Sequence, residues 1–121
     1  MSSRMYIVAR RDLEMPPGKL AAQVGHAAVR MILKAEHSKS FPAELLQNYL
    51  SGDGNEAKIV LGVDSEDALN EVFDACVQMK IPCGKVVDSG RTVFKEPTLT
   101  CIGIGPIWDT EIGTFKHLKL Y

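Results

Sequence analysis

A chain of 121 residues with 45% hydrophobic and 24% charged side chains has the size and composition of one globular domain, which excludes wholesale disorder. No apolar run approaches the ~20 residues that span a bilayer, and Met1-Ser2-Ser3-Arg4 leads straight into a strand-like run. Neither a membrane helix nor a signal peptide is therefore expected. The formal net charge of −1 excludes a protein that wraps nucleic acid by neutralising many phosphates, so any RNA contact has to be local.

The first element is the apolar run Met5-Tyr6-Ile7-Val8-Ala9, bounded by Arg10-Arg11-Asp12, which reads as a buried strand. Met15-Pro16-Pro17-Gly18 cannot continue it and leads into a helix. From Lys19 to about Lys34, Leu20, Val24, Ala27 and Met31 fall on one apolar stripe. The stretch from Glu36 to Asn55 is less legible. Leu45, Leu46, Tyr49 and Leu50 make a short amphipathic helix there, ended by Gly52-Asp53-Gly54.

A second strand is predicted at Lys58–Val63, then a helix to about Met79 with Ser65 as its N-cap. Ile81-Pro82-Cys83-Gly84 turns into a third strand, Lys85-Val86-Val87. The fourth is Leu99–Ile104, with Gly105-Pro106 expected to stop it, and a closing helix is predicted from Thr110 to Phe115. Helices bridge the first three strands, so right-handed parallel crossovers are expected. The polar segment from Asp88 to Thr98 is too poor in helix signals for another crossover, so the fourth strand should run antiparallel. The expected architecture is an α/β fold with a four-stranded mixed sheet and helices on both faces, in a single domain over 1–121.

Cys76, Cys83 and Cys101 form an odd set with no CxxC pair and no histidine at ligand spacing. They read as free, mostly buried thiols in a reducing, cytoplasmic compartment, and no metal or other cofactor is expected.

Ligands of open α/β sheets bind beyond the carboxyl ends of the parallel strands. Two segments arrive there: Arg10 to Lys19, and Asp88-Ser89-Gly90-Arg91-Thr92. At about 100° per residue, Gln23 lies about 40° and His26 about −20° from Lys19 around the helix, so the three share a face. Taken alone, that face also reads as ordinary solvated surface, and Asp88-Ser89-Gly90 as an ordinary turn. Gly103-Ile104-Gly105-Pro106 lacks the spacing of a nucleotide-binding loop and reads as a strand end.

Gly18-Lys19-Leu20-Ala21-Ala22-Gln23-Val24-Gly25-His26-Ala27-Ala28 resembles the G-K-x-A-A-Q-x-x-H-A signature of the type 2 peptidyl-tRNA hydrolases, the archaeal and eukaryotic class. Asp88-Ser89-Gly90-Arg91-Thr92 is similar to their D-x-G-x-T motif, and Ile102–Pro106 and His117–Tyr121 resemble later family segments in the expected order. The resemblance spans essentially the whole chain. It departs at Pro16-Pro17 and at Lys95-Glu96-Pro97-Thr98, where the family often carries a basic, glycine-bearing loop and a Pro-Gly-Ser/Thr turn.

The resemblance implies a homodimeric three-layer α/β/α sandwich with a four-stranded mixed sheet. It implies hydrolysis of the ester between a peptide and the terminal ribose of tRNA. Eukaryotic members often carry an N-terminal membrane anchor, which is not expected in this chain. It carries over Lys19, Asp88, Thr92 and His26 as catalytic positions and Gln23 as a substrate contact. Gly18, Gly90, Arg91, Arg10 and Arg11 are candidate substrate contacts, and with Lys19 and Lys95 the arginines would form a local phosphate-binding patch. The alternative is a catalytically silent relative that acts as a protein-binding module.

Overall fold

In the computed structural model, which describes residues 2–121, the chain runs β1 (Ser3–Arg10), α1 (Pro17–His37), α2 (Ala43–Ser51), β2 (Lys58–Val63), α3 (Glu66–Gln78), β3 (Cys83–Asp88), β4 (Thr98–Trp108), a 3-10 turn (Asp109–Phe115) and β5 (Lys119–Leu120). The sheet order is β3-β4-β1-β2-β5. β1 pairs with β2 in parallel, and β4 runs antiparallel to both β1 and β3. The first three strands therefore share a direction and the fourth opposes them, as predicted.

β1 is the central strand, and both its faces are covered. Met5, Ile7 and Ala9 join a cluster with Ala27 and Met31 of α1 and Tyr49 of α2. Tyr6 and Val8, on the other face, join Leu69, Val72 and Cys76 of α3. The period of two along the strand thus assigns α1 and α3 to opposite sides. Ser65 caps α3, its side chain accepting from the Ala68 amide at 3.0 Å. All three cysteines are free and buried.

Four expectations need correction. The sheet has five strands, not four: Lys119–Leu120 pairs antiparallel with Leu61 and Gly62 of β2, and the Tyr121 amide donates to the Val60 carbonyl at 2.9 Å. Two residues are too few to leave a periodic signal. Gly105-Pro106 does not stop β4, which continues to Trp108. The register jumps from Tyr6↔Ile104 to Arg4↔Ile107, so the glycine and proline sit in a bulge where a missing N–H is tolerated. Gly103, read as part of a strand end, lies mid-strand beneath α1. A Cβ there would fall 2.6 Å from Met31 Cγ and 3.2 Å from the Ala27 carbonyl oxygen, so the missing side chain lets the helix lie close to the sheet. The closing helix is a 3-10 turn; Phe115 is buried, its ring centroid 5.1 Å from that of Tyr6.

Candidate active site

The start of α1 and the end of β3 meet at one corner of the molecule. Pro16 precedes α1 without a side-chain cap, and no acidic residue occupies its first turn, so the positive end of the helix is not offset locally. Lys19 leaves that first turn and its ammonium donates to Asp88 Oδ1 and, at 2.8 Å, to Thr92 Oγ1. Lys19 and Asp88 are 69 residues apart in sequence. Lys19 also lies 5.8 Å from the Phe94 ring centroid, where the ring's negative face favours the cation.

Asp88 ends β3 and is 9% exposed. Its second oxygen accepts from the Gly90 amide at 2.9 Å. The turn that aims this amide requires a glycine. Gly90 has φ +82°, and a Cβ would lie 2.4 Å from the Glu96 carbonyl carbon. The Lys19 ammonium, and after it the Gly90 amide, hold the Asp88 carboxyl below its ordinary value of 3.8, with a smaller contribution from the charge of His26. The group is therefore an ionised carboxylate at neutral pH.

Gln23 differs from the solvated helix face that spacing alone allows. It is 2% exposed and lies in line with Ala27, Met31 and Ala35 on the buried stripe of α1. Its amide nitrogen approaches Asp88 Oδ1 at 3.5 Å, while its oxygen accepts from the Thr100 hydroxyl at 2.6 Å. Thr100, fully buried on β4, therefore fixes which end of the amide faces the carboxylate. From the sequence alone Thr100 does not stand out, because one threonine inside an apolar strand reads as strand propensity. A hydroxyl that must be satisfied in the core was the available signal.

The remaining candidates disperse. His26 is exposed on α1 and makes no hydrogen bond to Asp88 among the described residues. Gly18 is exposed with open space around it, and Arg91 is exposed beside the site. Arg10 stays near the corner but is already engaged: its guanidinium forms two hydrogen bonds to Asp12, at 3.1 and 2.7 Å, and a third to the Leu99 carbonyl. Arg11 turns the other way. It crosses Gly62 of β2, donates to the Leu120 carbonyl and lies 5.8 Å from the Tyr121 ring centroid. The sheet order puts two strands, β4 and β1, between β2 and the edge that carries Asp88. Arg11 thus belongs to the other side of the sheet.

A buried carboxylate kept ionised by an ammonium, with a hydroxyl and an oriented amide alongside, is a device for holding water and polarising a carbonyl. That is chemistry a hydrolase can use. Residues 3–121 match the family Peptidyl-tRNA hydrolase PTH2. The chain is similar to the "Peptidyl-tRNA hydrolase" of Sulfurisphaera tokodaii, 41% identical over 107 residues that cover 88% of this chain and 87% of the relative. It is also similar to that of Methanococcus maripaludis, 39% identical over 94% of this chain and 95% of the relative. A third, from Methanocaldococcus jannaschii, is 34% identical over 97% and 98%. The chain belongs to the peptidyl-tRNA hydrolase PTH2 family.

Proposed function

We propose that this protein hydrolyses the ester between a peptide, or an N-blocked amino acid, and the 3′-terminal ribose of tRNA, with Lys19, Asp88, Thr92, Gln23 and His26 as its working residues. The observation that carries this reading is the meeting of Lys19, Asp88 and Thr92 from separate elements, in a chain that matches the family over residues 3–121.

Water attacks the ester carbonyl and gives one proton to Asp88; the bond to the ribose oxygen then breaks, and Asp88 returns that proton to the departing oxygen, regenerating the carboxylate. In the free protein Asp88 is a weak base because Lys19 holds it ionised. A substrate that draws the ammonium toward its oxyanion or terminal phosphate relaxes that hold, and the carboxylate gains basicity as the water needs activating. Thr92 and the Gln23 amide orient water or substrate. His26 orients the substrate from the rim rather than relaying the proton, consistent with its exposure. Gly18, Gly90, Arg91 and Arg10 border the tRNA terminus, and Arg11 is left out of that group.

The wider reading is one domain with the helices layered on both sheet faces, which the two side-chain clusters support. It includes a homodimer, supported by an apolar strip on α1 and α2 where Val29, Leu33 and Leu50 are exposed. A cytoplasmic location fits a translation-linked substrate. Among the described residues no helix is long and apolar enough to cross a membrane.

The test is release of an N-blocked amino acid from tRNA by wild type and Asp88→Ala side by side. The wild type should turn over and the variant, folded, should lose at least ~100-fold. Comparable turnover by both would overturn the assignment.

A further inference from the structure

The near-zero net charge conceals a strong asymmetry. Residues 43–78, covering α2, β2 and α3, hold eight Asp or Glu and one base, Lys58. α3 itself carries Glu66, Asp67, Glu71 and Asp74 with no base. A polyanion is repelled from that flank. α1 is the reverse: Lys19, Arg30 and Lys34 stand against Glu36 alone.

The α1 cations converge on the outer edge of the sheet. β3 is an edge strand, and its Lys85 and Cys83 carbonyls accept from Arg30 at 3.3 Å and from Lys34 at 2.7 Å. Each cation uses part of its donor capacity on the backbone and remains exposed. Lys85 rises from β3 itself, its ammonium 4.7 Å from the Phe73 ring centroid. Lys80, just before the strand, borders the same cavity as Lys34, and Arg91 follows the strand's end. Among the described residues none of these five forms an ion pair. From Asp88 back to Cys83 the row spans about 16 Å at ~3.3 Å per residue, and it begins at the site.

We propose that the β3 edge, with Arg30, Lys34, Lys80 and Lys85, is a track for the sugar–phosphate backbone of the tRNA's paired acceptor end, leading the single-stranded terminus to Lys19 and Asp88. This rests on the hydrolase reading and extends it from the ester to the body of the substrate. Recognition is by phosphate position and not by base, since exposed point charges on a sheet edge carry no hydrogen-bond code. It also reconciles a polyanionic substrate with a protein of net charge −1.

The test compares intact N-blocked aminoacyl-tRNA with the same ester on a CCA trinucleotide, using Arg30→Gln/Lys34→Gln/Lys85→Gln. On intact tRNA, KM should rise about tenfold with kcat unchanged, and the slope of log KM against log salt should fall by about one per cation removed. The trinucleotide ester should show no such rise. Lys80→Gln/Lys85→Gln, which removes no backbone hydrogen bond, should shift the same quantities in proportion if the triple variant is unstable. Lys58→Gln, on the acidic flank, should shift nothing. Equal losses on both esters, or an unchanged tRNA KM and salt slope, would overturn the track. Binding of uncharged tRNA, titrated against salt, makes the same comparison without chemistry. Lost binding in the variants with an inactive wild type would sink the hydrolase reading and leave the track standing; unchanged binding would remove the track.

Discussion

The two ends of α1 could hardly differ more. At its C-terminal end, with α2, α3 and the start of β3, lies a cavity of about 550 Å³ bordered by Met31, Phe41, Phe73 and Trp108. At its N-terminal end Lys19, Gln23, Asp88 and Thr92 are joined by hydrogen bonds. Volume and chemistry are separated by the length of a helix, about 22 Å between Lys19 and Lys34 at 1.5 Å per residue. Small-molecule enzymes usually join the two. A substrate the size of tRNA does not need enclosure, because its own mass covers the corner where one ester is presented. The cavity then lies outside the proposed site, which is the crowded end.

The largest predicted effect at the crowded end is that of Asp88→Asn. It keeps the shape but removes the charge and one of the two acceptor oxygens, so kcat should fall by roughly 10²–10⁴, with some loss of melting temperature because Lys19 and Gln23 lose their shared acceptor. A loss confined to KM would mean the carboxylate binds and does not act. Lys19→Met comes next, with a comparable loss and a diagnostic pH profile. Asp88 is depressed chiefly by Lys19 in the free protein, so wild-type kcat/KM should persist to low pH and fall only below the ordinary carboxylate value of 3.8. Without the ammonium the acid limb should move upward in pH, and an unmoved limb would show that another group sets it.

Thr100→Val probes the support under the site. It strands the buried Gln23 oxygen, so stability should drop by about 1–3 kcal/mol, and kcat should fall by a smaller factor than for Lys19 or Asp88. Chemical denaturation and steady-state assays on the same preparation would measure both. At the roomy end, Phe41→Ala should leave kcat/KM for tRNA substrate within about twofold, because truncating a half-buried side chain there touches packing alone. A tenfold change would join the cavity to the chemistry and dissolve the contrast.

Much of this corner was readable from the chain. Helical angles placed Lys19 and His26 together, and the rule for parallel strands sent Asp88 to the same end. What escaped depends on third parties. Gln23 looks surface-bound by type, and only Thr100 and Asp88, contributed by other strands, make its burial affordable. Arg11 looks equivalent to Arg10, yet its direction is decided by Gly62 and by a two-residue strand at the far end of the sequence. Gly105-Pro106 looks like a stop, because pairing across a bulge is not visible until the partner strand is known.

The short β5 has one more implication. A row of open amides and carbonyls along β2 would be a template on which a foreign strand could nucleate, and Leu61 and Gly62 would be its first rungs. The final three residues act as a sacrificial fringe over that template, clasped from below by Arg11. Clipping them should leave the Lys19–Asp88 corner untouched and instead make the protein prone to joining edge to edge through β2, a fault of shelf life rather than of turnover.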